Sequence, residues 1–151
     1  MVRPADTNAY TSGDLVANST TAGSVVVPNV GAQSVEGGKG KILRVQIDKT
    51  GTGITNAAFR VHLHTTAPVA TNGDNGVWLT TRAGYLGSVD VAVDKAFSNG
   101  ASGTGAPTDP IPFDLPAGSK RIFAAIEARG AYTPASAEQF TVTLETESDA
   151  E

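Results

Sequence analysis

The stretch Phe59–Val93, FRVHLHTTAPVATNGDNGVWLTTRAGYLGSVDVAV, decides how the chain is read. It opens in strict alternation, with Phe59, Val61 and Leu63 on one side and Arg60, His62 and His64 on the other. A period of two marks a strand with one buried face. A turn-rich run follows, through Pro68, Asn72-Gly73 and Asn75-Gly76, and then come Val77-Trp78-Leu79 and the apolar segment Tyr85 to Val93. Two strands therefore flank a polar excursion, with the only tryptophan just behind the turn signals. Loops carried by a sheet in this way commonly hold the contacts that matter.

Outward from this stretch the same periodicity recurs. Upstream, Tyr10 to Asn18 reads as a short strand kinked at Gly13-Asp14, and Gly23 to Val27 as a β-branched strand ended by Pro28. Lys41 to Lys49 reads as a strand with Leu43, Val45 and Ile47 inward and Arg44, Gln46 and Asp48 towards water. A connection of about ten residues joins it to the Phe59 strand, so the two are expected to be antiparallel neighbours. Downstream, Phe97 to Ser119 is rich in Pro and Gly and reads as one long irregular loop, pinned by Phe113 with Ile111 and Leu115. Arg121 to Arg129 has apolar residues on both sides, as a central strand near a subunit contact does. Phe140, Val142 and Leu144 alternate with polar residues, as in an outer strand, and Ala135 to Gln139 offers one helical turn.

These segments predict an all-β, single-domain antiparallel β-sandwich, jelly-roll-like, with about eight strands and a long Pro/Gly loop. Residues 1–9 are expected to be an N-terminal arm, 10–146 the sandwich and 147–151 a fraying acidic tail. Composition agrees: Gly 17 and Pro 8 stand beside 40% hydrophobic residues, a mixture of short strands and turns. The net charge of −4, with no basic run interleaved with aromatics, argues against nucleic acid as a partner. Without cysteine there is neither a disulfide nor a thiolate metal site, which suits a reducing cytoplasm. The opening residues lack the apolar core of a signal peptide and no run of about 18 apolar residues occurs, so neither export nor a membrane partner is expected.

Chemistry is sparse. His62-Leu63-His64 places two imidazoles on one face, roughly 7 Å apart along the backbone. A metal there would need Asp74 or Asp90 from elsewhere, because Ala67 and Pro68 follow and there is no third histidine. Solvent-facing or interfacial histidines are the expectation. Asn72-Gly73-Asp74-Asn75-Gly76 lacks the alternating carboxylates of a calcium loop and reads as a tight turn. Gly37-Gly38-Lys39-Gly40-Lys41 lacks the Ser or Thr of a phosphate loop. No nucleophile motif is present, no carboxylate adjoins either histidine in sequence, and no enzyme activity or cofactor is expected. Trp78 and Tyr85 read either as core or as aromatic anchors for a partner or a sugar.

The order AYTSGDLVAN, KILRVQIDK, FRVHLHTTAP, DNGVW and YLGSVDV resembles small structural proteins of tailed bacteriophages. The resemblance covers most of Tyr10 to Val93, and HLH stands where an aromatic often ends the strand in that family. It implies a virion component, commonly a head decoration (cement) protein made in the host cytoplasm. Such a protein binds the major capsid protein on the capsid surface and forms homo-oligomers, with a trimer favoured. It implies no catalytic residues. Candidate interaction residues are Arg3, Tyr10, His62, His64, Asp74, Trp78, Tyr85 and Phe113. The alternative is a carbohydrate- or receptor-binding sandwich of a tail or fibre, with Trp78 and Tyr85 as an exposed platform.

Overall fold

The computed structural model describes residues 1–149. Ten strands form two antiparallel sheets, and no α-helix occurs among the described residues. In sheet one, β1 (Leu15–Val16) and β2 (Asn29–Gly31) lie end to end along β9 (Arg121–Ala128), which is followed by β4 (Ala58–His64) and β5 (Tyr85–Ala92). In sheet two, β10 (Phe140–Ser148) pairs with β3 (Lys39–Lys49). The other side of β3 carries β7 (Gly100–Gly105) and β8 (Ile111–Asp114), and β6 (Lys95–Phe97) borders β7. The connections β2–β3, β3–β4, β5–β6, β8–β9 and β9–β10 all cross between sheets, the jelly-roll-like part of the winding. The hairpins β4–β5 and β6–β7 stay within a sheet.

The alternating residues meet between the sheets. Phe59, Val61 and Leu63 of β4 and Ile122, Ala124 and Ile126 of β9 face Ile42, Val45 and Ile47 of β3, all buried. Phe59 takes Tyr132 and Phe140 edge-on, with ring centroids 5.5 and 5.4 Å away. The central position expected for Arg121 to Arg129 is where β9 lies, and β10 is an edge strand, as its alternation predicted.

Several expectations are corrected. β3 and β4 are not neighbours. Their connection crosses the sandwich, so the apolar stripes of the two strands face one another instead of lying side by side. Leu43 is not an inward residue of an unbroken alternation: a bulge opposite Glu145/Thr146 leaves it without a partner, and Ile42 takes the inward place. The Pro/Gly stretch is not one long loop, because it contains β7 and β8. Its glycines are what make it a strand here. A Cβ on Gly103 or Gly105 would land on the carbonyl oxygens of Ala92 or Asp90, where the margins of the two sheets approach. Phe113 and Leu115 are buried and pin this segment, as expected.

The Gly23 to Val27 strand is a 3-10 turn (Ala22–Ser24), and pairing begins only after Pro28. The helical turn expected at Ala135 to Gln139 is a reverse turn, with Ala137 at φ 50°. The acidic tail is strand as far as Ser148, and residues 150–151 lie outside the described residues. The arm is not free. The Met1 amino group donates to the Phe140 carbonyl, Val2 bridges to Gln139, and the Arg3 amide donates to the Glu138 carbonyl.

Candidate functional site

Beyond its core face, sheet one carries a second, smaller layer. On its outer face the register aligns Glu127, Arg60 and Asp90 in one row, and His62 with Ala125 and Ser88 in the next. His64 lies level with Phe123 and Tyr85. Tyr85 reaches this face through a bulge. Val89 and Gly87 keep step with Val61 and Leu63, but Leu86 is skipped, so Tyr85 opposes His64. Unbroken alternation would have turned Tyr85 inward.

The excursion between β4 and β5 folds back over this face. Ala70 bridges to Thr80 and Val77 to Asp14, and the Trp78 amide donates to the Gly13 carbonyl. Alternation along 77–81 then sends Trp78 and Thr80 towards the sheet and leaves Val77 and Leu79 outward, 67% and 53% exposed. Trp78 packs with Leu15, Ala17 and Ala70 in a satellite cluster.

Asp74 anchors the excursion. Its carboxylate accepts from the Arg3 guanidinium at 2.7 Å, from the Tyr10 hydroxyl at 2.7 Å and from the Ala17 amide at 2.7 Å. Arg3 also donates to the Tyr10 hydroxyl. Burial and the Asp74 charge push the Tyr10 hydroxyl far above its ordinary pKa, so it stays a donor. Arg3, Tyr10 and Asp74, expected as contact residues, thus form a buried knot that ties arm, first strand and excursion together.

The histidines are the main correction. Neither faces solvent: His62 is 5% and His64 1% exposed, because the excursion covers them. His62 has a carboxylate after all, from a strand distant in sequence. Its Nε2 donates to Glu127 at 2.7 Å, and Arg129 donates to the other oxygen at 2.8 Å. That leaves Nδ1 as an acceptor for the Tyr85 hydroxyl, at 3.5 Å. Trp78 stacks on the ring, with centroids 3.8 Å apart and planes 15° from parallel. Burial holds His62 below its ordinary pKa against the pull of Glu127, and Arg60 and His64 push the same way. It is a neutral, packed ring with both nitrogens directed at protein atoms.

His64 Nδ1 donates to the Ala83 carbonyl at 2.9 Å, which fixes its tautomer and leaves Nε2 with a lone pair. Burial likewise lowers its pKa. No group of three or more potential metal ligands occurs among the described residues. Asp74 is held by Arg3, and Asp90 by Arg60 in a two-pronged pair at 2.7 and 3.0 Å, so neither carboxylate turns to the imidazoles.

The structure therefore gathers His62, His64, Trp78 and Tyr85 around one pocket of about 290 Å³, completed by Thr80, Thr81 and Arg82. Phe113 stands apart in the core, where it shares with Tyr85 the lining of a shallower hollow of about 410 Å³. No family model, curated protein or solved structure matches the chain. Sequence reasoning missed Thr80, Thr81, Arg82 and Glu127. The parity of Trp78 pointed to Thr80, but nothing local ties Glu127 to His62, 65 residues away.

Proposed function

We propose that this chain is a phage virion structural protein, specifically a head decoration (cement) protein that works by adhesion on the capsid surface. The observation that carries the reading is the outward face of the excursion. Val69, Val77 and Leu79 are apolar and largely exposed there, on a segment fixed beneath by the Asp74 knot. Apolar side chains held out together on a rigid support suit a contact surface. The order of strand and turn motifs from Tyr10 to Val93 supports the virion assignment. The ligand of such a surface is the assembled lattice of the major capsid protein. Binding only the assembled form shifts the equilibrium towards the intact shell, and trimeric copies at three-fold positions gain avidity without one strong contact.

The platform reading is less well supported. Trp78 is half-buried with one face on His62, so it offers no open stacking surface with Tyr85. The test is electron microscopy of undecorated heads mixed with wild type or with Leu79→Asp. Wild type should add density at fixed lattice positions and raise the heads' resistance to heating, and Leu79→Asp should lower occupancy at least tenfold. Failure of the wild type to bind any head, or full occupancy by the variant, refutes the reading.

A further inference from the structure

Among the described residues, three buried side-chain polar atoms have no hydrogen-bond partner: His64 Nε2, Trp78 Nε1 and Thr80 Oγ1. All three belong to residues lining one pocket, that of His62, His64, Trp78 and Tyr85. Buried polar atoms are ordinarily paired, because leaving one unmatched costs about 1–3 kcal/mol. Three such atoms on residues that line one pocket are the observation from which a ligand is inferred.

We propose that this pocket binds a neutral, hydroxyl-bearing ring of monosaccharide size. The donor and acceptor inventory selects that chemistry. Trp78 Nε1–H only donates, so the ligand must accept there. His64 Nε2 carries a lone pair, because its Nδ1 proton is committed to the Ala83 carbonyl, so the ligand must donate there. The Thr80 hydroxyl can do either. Vicinal hydroxyls of a pyranose meet both demands within one small molecule. A carboxylate has no proton to offer His64, and the negative charge of a carboxylate or a phosphate would face the imidazole lone pair.

The remaining walls fit the same ligand. Tyr85 presents a half-open ring near the His64 ring, with centroids 5.1 Å apart, suited to the C–H face of a sugar. Arg82 is exposed at the rim, with no carboxylate in ion-pair range among the described residues, and can donate to a further hydroxyl. The volume of about 290 Å³ lies just below the span of drug-sized sites, roughly 300–1,000 Å³, which favours one ring over a chain of them. Burial keeps His64 neutral, as the acceptor role requires. The inference rests on the pocket alone and holds whether or not the chain decorates a head.

The only tryptophan lies in the pocket wall and serves as the reporter. The full-length protein would be titrated at pH 7.5 with the methyl glycosides of glucose, galactose, mannose and N-acetylglucosamine, with sodium acetate and sodium phosphate as anion probes. At least one glycoside should change the fluorescence saturably in the millimolar range, while both anions leave it unchanged. Thr80→Val, which removes one polar atom at nearly constant shape, should weaken that binding at least fivefold with the urea midpoint preserved. His64→Gln, whose side-chain amide keeps an acceptor, should retain more binding than His64→Phe. If His64→Phe fails to fold, Thr80→Val alone decides. No saturable response to any glycoside up to 100 mM overturns the proposal. So does tighter binding of acetate or phosphate, or a sugar response untouched by Thr80→Val.

Discussion

Replacing Asp74 by Asn tests whether the N-terminal arm and the excursion are held by one buried charge pair. The Arg3 and Asp74 side chains are 0% and 1% exposed and 2.7 Å apart. In Asp74→Asn, the amide oxygen can still accept from the Tyr10 hydroxyl and the Ala17 amide, so those two bonds survive. The atom facing the Arg3 guanidinium becomes a donor, and a buried cation loses its counter-charge. Breaking a buried pair from one side costs about 3–5 kcal/mol. Asp6, 3.4 Å from Arg3 and partly exposed, offsets some of this, which places the expectation at the lower end, about 3 kcal/mol. For a domain of this size that lowers Tm by roughly 6–12 °C. Urea unfolding followed by tryptophan fluorescence and by circular dichroism gives the free energy, provided the two transitions coincide.

The decisive comparison is with Arg3→Met/Asp74→Asn. With both charges gone no buried charge is left unpaired, and the double variant should be more stable than Asp74→Asn alone, by about 1–3 kcal/mol. A single variant within about 0.5 kcal/mol of wild type would mean that Arg3 is solvated and the arm free, against the geometry described. Additive losses in the double variant would refute the pairing argument as well. The same reasoning extends to truncation. Deleting residues 1–8 removes Arg3 and leaves Asp74 buried with only neutral donors, so the truncated chain should lose stability.

Glu138→Gln should destabilise by about 2–4 kcal/mol in urea unfolding, because Lys49 and Glu138 are both buried and paired at 3.1 Å, while Tyr132 donates to the same carboxylate. Gly73→Ala should cost about 1–3 kcal/mol, since its Cβ would meet the Thr20 backbone; a thermal shift below 2 °C would count against that close approach. Stability should be flat above the ordinary histidine pKa near 6.5 and fall as pH drops below it. The folded state holds His62 and His64 below that value, so the unfolded chain binds more protons in that window, at most about 1.4 kcal/mol per pH unit for each. Glu127 pulls against this at His62, while Arg60 and His64 act with it; a His64→Gln variant should flatten the slope, and unfolding independent of pH between 7 and 5 would refute the burial argument. A separate loss belongs below about pH 4, where Asp90, held down by Arg60, takes up its proton.

What was legible in the sequence follows from the reach of each signal. Alternation is local, so β3, β4, β9 and β10 could be read from Val45-Ile47, Phe59-Val61-Leu63, Ile122-Ala124-Ile126 and Phe140-Val142 alone. Pairing between sheets is not local, which is why β3 and β4 were expected side by side. The Gly-rich β7 was hidden because its residues have little side chain to alternate. They are selected by how closely β5 passes, and no window of sequence contains that distance. Lys49 was readable in principle, since it shares parity with Val45 and Ile47, but a charged residue on an apolar stripe is easily taken for the strand's end.

The pocket depended on two events that pattern reading does not contain. One is the bulge at Leu86, which moves Tyr85 from the core side of sheet one to the histidine side. The other is the Asp74 knot, which pulls the excursion down until Trp78 covers His62. Both concern a single stretch, residues 65–86, that also holds Val69, Val77 and Leu79 out to solvent. The contact surface and the pocket are therefore two faces of one layer: Val77 and Leu79 turn outward, and Trp78 and Thr80 turn in. A change that loosens the knot should disturb both faces, whereas Leu79→Asp should disturb only the outer one and Thr80→Val only the inner. If Leu79→Asp abolished the glycoside response while leaving the urea midpoint unchanged, the two faces would not be separate, and the layered account of this excursion would fail.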